Sequence, residues 1–513
     1  MSKTKQRSEI ADSVGVTHTL KVTVPDTWGV VPLETVLEDI VGGGTPSREN
    51  PSYWNGSIPW LTVKDMRTRR PEDSIDHISE QAVRDSATSI IPANTVIIAT
   101  RIGLGKVIRV PYDAAINQDL KALITKPKVD KSYLEYWIYS IAGYLKSIGS
   151  GTTVKGVRLE HVRSLPFPLA PLDQQKRIVE EIEKQFSRLD EAVANLKRVK
   201  ANLKRYKAAV LKGAVEGRLV ETEAELARRE GRSFETGGQL LKRIQQARRS
   251  QWQGKGKYKE PAVLDTVDLP ELPEGWVWAS VDQLAAPEPN SISDGPFGSN
   301  LKTEHYQESG PRVIRLQNIK DGEFADEHAH ISPAHFDRLR KHEIHAGDLV
   351  IASLGDDPPR ACIIPSFVGR AIVKADCIRF KPHSALTAAY LNAALNCRPT
   401  RQRVKSILHG IGRPRLSLGE IRAIALPIPP ESEQHRIVAE IDRRLSIAAE
   451  LEMQIEANLQ RSDRARQSIL ISAFSGRLVL RDVISNLQSD LALLIAADKR
   501  GIYERSVKAK PSV

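Results

Sequence analysis

The chain repeats itself, and no other feature narrows its possible folds so far. Residues Leu165–Val179 (LPFPLAPLDQQKRIV) return as Ile424–Val438 (IALPIPPESEQHRIV), 259 positions later. That register runs without a gap from Leu159/Leu418 to Val220/Val479, pairing Arg163 with Arg422, Pro168 with Pro427, Pro171 with Pro430 and Gln175 with Gln434. Both copies close on Gly-Arg-Leu-Val, at 217–220 and 476–479. Upstream the offset shrinks. Pro25-Asp-Thr-Trp28 matches Pro273-Glu-Gly-Trp276 at 248, and Ile91–Ala99 matches Ile344–Ala352 at 253. Insertions of this size fall in surface loops over a shared scaffold. The chain is therefore two copies of one unit that differ in their loops.

Each copy has a mixed part and a helical part. In the mixed part, short β-like runs (Thr95–Thr100, Val313–Leu316, Asp348–Ser353, Ala371–Lys374) alternate with Gly, Pro and Asn. That pattern predicts a compact α/β or α+β globule, and α+β is the fold class expected. A Pro-rich lead follows, then a long helix. Asp173 and Ser432, at equivalent positions, suit helix N-caps, while Gly217 and Gly476 suit C-terminal caps. In the first helix Val179, Phe186 and Val193 alternate with Ile182, Leu189, Leu196, Leu203 and Val210. The second carries Ile441, Leu445, Ala448, Leu451, Ile455 and Leu459. So narrow a stripe is a coiled-coil seam. About 44 residues at 1.5 Å each predict a rod of roughly 65 Å. A pseudo-twofold axis between the copies would make the rods antiparallel, with one globule at each end. Alone, such helices could also serve only for oligomerisation. The expected order is a polar leader (1–24), a globule (25–172), a long helix (173–217), a linker (218–271), a second globule (272–431), a second long helix (432–476) and a tail (477–513).

Composition sets the partner class. Lys and Arg total 75 against 63 Asp and Glu among 513 residues, a net charge of +12. Such a balance favours polyanions, because each phosphate neutralised releases a condensed counterion. The plainer alternative is a basic soluble protein with no such partner. Cys362, Cys377 and Cys397 form no CxxC pair, so neither a disulfide framework nor a zinc site is expected, and a cytoplasmic location fits. No apolar run is long enough to span a membrane, and MSKTKQRSEIADS lacks the apolar core of a secretory signal. The helical pattern from Val483 to Ala497 fits either a docked or a free tail.

No catalytic residue and no metal ligand is expected. Gly103-Leu-Gly-Lys106 lacks the upstream Gly and the following Ser or Thr of a phosphate loop. Asp357-Pro-Pro-Arg360 has Arg where an amino-methyltransferase needs an aromatic to stack a flipped base. Gly42-Gly-Gly44-Thr-Pro is a flexible loop rather than a dinucleotide fingerprint. His328, His330 and His335 have no Cys or helical His partner to complete a metal site.

Several segments carry a family resemblance: Pro25–Trp28, Gly43-Gly-Thr-Pro46, Tyr53-Trp-Asn-Gly-Ser-Ile-Pro-Trp60, Ile116-Asn-Gln-Asp119, Pro168–Gln175, Leu272–Trp276 and Asp294-Gly-Pro-Phe-Gly-Ser-Asn300. In this order, and with the duplication, the chain resembles the specificity subunit of type I restriction-modification enzymes from about Val24 to Val479. Residues 221–270, with Gln239-Leu-Leu-Lys-Arg-Ile, look like that family's central connector. The resemblance implies that each globule is a target-recognition domain for one half of a split, asymmetric double-stranded DNA site. It implies that the helices fix the unread spacer. It also implies two modification subunits, which methylate adenine with S-adenosylmethionine, and two restriction subunits driven by ATP and Mg2+, so that this chain itself holds no cofactor. A stand-alone coiled-coil regulatory DNA-binding protein is the alternative.

Side chains that reach groove edges are chiefly Arg, Lys, Asn and Gln. In the first globule the candidates are Lys64, Arg67, Arg69, Arg70, Arg101, Lys106, Asn117, Gln118, Thr152, Thr153, Lys155 and Arg158. In the second they are Asn300, Lys302, Arg315, Gln317, Asn318, Lys320, Arg360, His409, Arg413 and Arg415. The competing reading of each is a solvated surface group. Trp28, Trp60 and Trp276 are read as packing residues.

Overall fold

The structure, a computed structural model, describes residues 7–11, 17–150, 155–252, 254–355, 357–410 and 412–478, with side chains from Leu20 onward. Contacts divide the chain into two units: Met1–Leu196 with Ala457–Val513, and Lys197–Glu456. Each unit holds one globule, the start of one long helix and the end of the other.

The first globule is built on two four-stranded sheets. In one the order is Asp76–Ile78, Ile58–Leu61, Ala114–Ile116, Ile90–Ile91, and only the central pair is parallel. In the other, all antiparallel, the order is Leu37–Gly42, Leu120–Thr125, Val96–Ala99, Val107–Arg109. The second globule repeats both. Its mixed sheet runs His330–Ile331, Tyr306–Ile314, Ala371–Val373, Glu343–Ile344, again with a parallel central pair. Its antiparallel sheet runs Ile292–Ser293, Cys377–Phe380, Leu349–Ala352, Arg360–Ile363. Val96–Ala99 and Leu349–Ala352 are buried along their whole length, which is why they read as unbroken apolar runs rather than alternating ones.

The junction between globule and helix is also duplicated. The Pro-rich leads pair as strands, Pro166–Leu169 with Gly29–Pro32 and Ala425–Ile428 with Val277–Ser280. The Tyr133 hydroxyl donates to the Pro168 carbonyl at 2.9 Å, and that of Tyr390 to the Pro427 carbonyl at 2.7 Å. Gln175 and Gln434 are fully buried at the helix starts. Gln175 accepts from Asp130 N and donates to Lys128 O and Ala170 O; Gln434 accepts from Thr387 N and donates to Pro429 O. Trp28 and Trp276 are buried as expected and donate to Gln174 and Glu433.

The long helices span Leu172–Val215 and Glu431–Phe474, 44 residues each. Asp173 and Ser432 therefore lie inside the first turn instead of capping it, and there Asp173 faces the positive end of the helix dipole. At the far ends Arg218 N donates to Gly213 O and Arg477 N to Ser472 O, both at 2.9 Å, closing Schellman motifs over left-handed Gly217 (φ 65°) and Gly476 (φ 71°). A Cβ on Gly217 would lie 2.4 Å from Pro273 Cγ, and one on Gly476 would lie 2.2 Å from Pro25 Cγ. Each helix thus ends against the Pro-x-x-Trp turn of the other copy.

The helices run antiparallel. Lys200 and Lys207 pair with Glu456 and Glu452, so residue numbers fall on one helix as they rise on the other. In the first unit Arg466 pairs with Asp190. All the seam positions expected from the heptad stripe are buried or half-buried. The first core takes Ile178, Ile182 and Phe186 from one helix and Ile469, Leu470, Ala473 and Phe474 from the other. The second takes Ile437 and Ile441, with Val210, Ala214 and Val215. The chain is two similar α+β globules joined by two long helices that form an antiparallel coiled coil.

Two segments outside the globules and long helices also hold regular structure. Within residues 218–271, read as a linker, helices Glu223–Glu230 and Gly237–Ser250 form, both opened by capping boxes, and Leu240, Leu241 and Ile244 enter the second core. Within the leader, Arg7–Ala11 pairs antiparallel with Thr17–Lys21. From Val479 onward the tail lies outside the described residues.

Candidate nucleic-acid interface

In the first globule, five loops meet at the C-terminal ends of the parallel strands. Gly44 N donates to Ile116 O, Asn117 N to Leu61 O, Thr100 N to Asp119 O, and Val157 N to Thr100 O, all between 2.8 and 3.1 Å. A Cβ on Gly43 would lie 1.8 Å from Ile116 O, so that loop crosses the strand end at backbone contact. The cluster exposes Lys64, Arg67, Arg101, Lys106, Gln118, Lys155 and Arg158. Arg101 pairs with Asp119 at 3.3 Å, and Thr45 donates to the Gln118 carboxamide. Thr152 and Thr153 lie outside the described residues.

Three candidates here are tied to the protein by their own contacts. Arg69 stacks against Tyr136, Tyr139 and Phe186. Arg70 is bonded to Glu135, a fully buried carboxylate that Arg109 also holds at 3.1 Å. Asn117 is buried and exchanges hydrogen bonds with Asp119. Arg69 and Asn117 brace the loop, whereas Arg70 stays exposed while pairing with Glu135.

The second globule repeats the frame with other side chains. Ser353 N donates to Asp376 O, Leu416 N to Ser353 O, and Lys374 N to Ile314 O. The His409/Arg415 bridge stands where the first globule has Ser150/Gly156. Arg415 pairs with Asp376 at 2.8 Å and lies 5.7 Å from the centre of the Phe297 ring. His409 contacts Glu420, Lys302 pairs with Glu304, and Arg413 is exposed. Arg360 is half-buried beside Gly355. Asn300 is exposed, but its amide donates to Phe297 O. Gln317 and Lys320 are exposed on the turn after Tyr306–Ile314. Between them Asn318 is fully buried, accepting from Arg315 N and donating to Ala325 O and Glu327 O, while the Arg315 guanidinium donates to His328 O. Asn318 therefore shapes this turn and cannot reach a base.

Asp294 sits beneath this cluster. Its carboxylate accepts from Gly295 N and Asp376 N, at 2.7 and 3.0 Å. Burial, reinforced by the Asp376 charge, pushes its pKa up to about 6 against those two bonds. Two exposed side chains of these clusters, Thr45 and Phe297, stand outside the candidates expected from the sequence. Both sit in Gly/Pro loops, Gly42–Pro46 and Asp294–Asn300, and the aromatic between glycines is the signal that marks Phe297.

Among the described residues no group of three His, Cys, Asp or Glu is placed to hold a metal ion. Nor is any described helix long and apolar enough to cross a membrane. All three cysteines are buried, and burial pushes the Cys362 thiol up to about 12.

A duplicated α+β scaffold with two long helices and two unlike basic loop clusters defines a class of paired-domain proteins. The model of the type I restriction modification DNA specificity domain matches residues 25–205 and 336–461, and the chain belongs to that family. It is 35% identical over 152 residues to the EcoR124I/EcoR124II specificity subunit of Escherichia coli, covering 28% of this chain and 37% of that one. It is 32% identical over 185 residues to the MjaIX specificity subunit of Methanocaldococcus jannaschii, covering 34% and 40%. These matches span less than half the length of either relative. Similarity to the EcoKI specificity subunit of Escherichia coli strain K12 is lower, 20%, but covers 92% of this chain and 95% of that one. Two solved structures share the fold. One, from work on complex assembly and conformational transition of the type I R-M system, has a TM-score of 0.59 at 17% identity and covers 89% of this chain and 99% of its own. The other, the HsdS subunit from Thermoanaerobacter tengcongensis, has a TM-score of 0.50 at 16% identity and covers 89% and 98%.

Proposed function

We propose that the chain is the DNA-reading subunit of a type I restriction-modification complex. Each globule reads one half of a bipartite, asymmetric double-stranded site, and the long helices set the unread spacer. The observation that carries this reading is one backbone frame, built twice, with unlike exposed side chains in equivalent loops: Thr45, Arg101 and Lys155 in one copy, Phe297, Arg413 and Arg415 in the other. An asymmetric site needs two different readers on a common support. The exposed cations supply phosphate contacts, which position the protein, while loop side chains supply base contacts, which specify. The chain contributes no catalytic step. Two modification subunits with S-adenosylmethionine and two restriction subunits with ATP and Mg2+ supply the chemistry.

Domain exchange tests this. Replacing residues 25–170 by the equivalent segment of a related chain changes one half of the methylated motif and leaves the other half and the spacer intact. Methylation mapping that finds both halves unchanged overturns the reading.

A further inference from the structure

From Ala192 to Val215 the first long helix carries seven basic residues and no acidic one. Its counterpart in the 259-residue register, Leu451–Phe474, sets Arg461, Arg464 and Arg466 against Glu452, Glu456 and Asp463. The two copies therefore part company here. Lys200 and Lys207 are taken up by Glu456 and Glu452 of the facing helix, and Lys212 lies 3.8 Å from Glu216. Lys197, Lys204 and Arg205 are exposed, and among the described residues no carboxylate pairs with them. Residues seven apart share a flank of a helix in a coiled coil, so Lys197 and Lys204 form one column and Arg198 and Arg205 the next. Leu203 and Val210 are buried in the seam, and the opposite flank shows uncharged Val199 and Tyr206. A merely solvated face mixes signs, as the start of this helix does with Glu180, Glu181, Glu183, Lys184, Arg188 and Asp190. Like charges three and four residues apart destabilise a helix, and Lys197, Lys200, Lys204 and Lys207 are so spaced.

The repeat also indicates what the cationic flank faces. In the first unit Gln467 donates to Ser140 O at 2.8 Å, next to Tyr139, over which Arg69 of the Lys64–Arg70 loop lies. Gln467 corresponds to Ala208, and roughly one and three turns before Ala208 on the same flank come Lys204 and Lys197. The flank that meets a globule in one copy is the cationic flank in the other.

We propose that Lys197, Lys204 and Arg205 form a phosphate-binding rail for the unread spacer, at its end toward the second half-site. The proposal rests on the DNA-reading function given above and adds a contact to it, since the helix then holds the spacer as well as measuring it. Val210, a little further along the helix, is buried in the second core, which places the rail at that end. From Lys197 to Arg205 the helix rises about 12 Å, the length of three or four base pairs. A duplex backbone presents negative charge evenly along a line, which suits two straight columns of cations better than an irregular acidic protein surface does. The second helix has Glu456 and Asp463 where the first has Lys197 and Lys204, so spacer phosphates beside the first half-site are not held this way.

The test measures binding of the assembled complex, across a range of salt, to a duplex carrying the site found by methylation mapping. The triple variant Lys197→Gln, Lys204→Gln, Arg205→Gln lowers the salt slope by about two to three and leaves the methylated motif unchanged, because phosphates carry no sequence. Lys197→Arg with Lys204→Arg keeps the wild-type slope. A second duplex carries uncharged methylphosphonates in the spacer beside the half-site that domain exchange assigns to the second globule. It lowers the slope of the unaltered complex by the same amount and does nothing further to the triple variant. Methylphosphonates beside the first half-site leave the difference between the two proteins intact. A wild-type slope in the triple variant, or a methylphosphonate effect that persists there in full, overturns the proposal. So does loss of a subunit from the variant complex with the slope unchanged, which assigns the rail to an acidic protein surface. An unaltered complex indifferent to the neutralised spacer sinks the rail even if the variant assembles poorly. Specific binding with any of these outcomes sinks the rail alone, whereas failure of the unaltered complex to bind any mapped site sinks the DNA-reading function as well.

Discussion

At their helix junctions the two globules are near copies, while at their loops they share only backbone. Tyr133 and Tyr390 donate to equivalent proline carbonyls, Gln175 and Gln434 to equivalent strand ends, and Gly217 and Gly476 meet equivalent prolines. Each of these contacts is aimed at backbone or at a proline ring, whose position the common fold already determines. The exposed loop contacts join side chain to side chain: Thr45 to Gln118 and Arg101 to Asp119 in one globule, Arg415 to Asp376 and His409 to Glu420 in the other. Such pairs can be exchanged without moving the sheets. The junction therefore carries the stability, and the loops carry the difference between the two globules.

The strongest way to break the likeness is at the far helix ends. Phe474 packs on Tyr133 with ring centres 5.0 Å apart, while the second globule has Val215 in its corresponding core position. Phe474→Ala is expected to destabilise the first unit by about 3–5 kcal/mol, since it removes an aromatic and leaves a cavity. Val215→Ala removes two methyl groups and should cost roughly half as much. Hydrogen exchange resolved by unit measures both; equal losses would show that the two ends are packed alike.

Next in size are the buried glutamines. Gln175→Ala strands three backbone groups and Gln434→Ala two. An unsatisfied buried group costs about 1–3 kcal/mol, so both variants should melt early and Gln175→Ala earlier. Denaturant midpoints that match wild type would mean that water replaces the lost bonds.

Much of this was legible in the sequence, and the exceptions have a common cause. The 259-residue register by itself puts Gln175 opposite Gln434 and Gly217 opposite Gly476. The heptad stripe likewise gave the seam, because periodicity reports which face is covered. The helices inside 218–271 were also signalled, by Thr222-x-x-Glu225 and Thr236-x-x-Gln239, both capping-box patterns. Ion pairing between distant residues leaves no such trace. Nothing local in Arg69-Arg70 says that one stacks on Phe186 and the other neutralises Glu135, or that Asn318 turns inward while Gln317 does not. A basic loop thus reads as an interface whether its cations reach outward or inward.

A smaller effect separates those two kinds of cation. Lys155 and Arg413 are both exposed in equivalent loops before the long helices. If each contacts phosphate, Lys155→Ala and Arg413→Ala should each lower the salt dependence of binding by about one counterion, with no change in the methylated motif. Arg69→Ala, by contrast, should lower stability through its stacking on Tyr136 and Phe186 and leave the salt slope alone. A changed slope in Arg69→Ala would place that residue at the DNA after all.

The least conspicuous difference lies at the tryptophans. Trp28 donates to Gln174, which does not titrate, whereas Trp276 donates to Glu433, whose side chain is fully buried. Burial raises the Glu433 pKa above the usual carboxylate value, against the opposing bonds from Glu223 N and Trp276 Nε1. The folded chain then holds this proton more tightly than the unfolded chain does. Glu433 therefore supports the fold best below its unfolded pKa, and the support fades as pH rises through the raised folded value. Neighbouring Glu223 has the opposite sign. Burial opposes its charge, but Arg436 and Arg232 outweigh that and keep its pKa low, so its contribution is lost only in more acidic solution. Between mildly acidic and neutral pH the second unit should accordingly lose stability relative to Glu433→Gln, while the first unit shows no matching slope at Gln174. The slope is the quantity to read, because the amide forfeits one of the two acceptor bonds and shifts the overall level. Denaturant midpoints at pH 5 and pH 7.5 that move in parallel for wild type and Glu433→Gln would show that this carboxylate stays ionised in the folded chain.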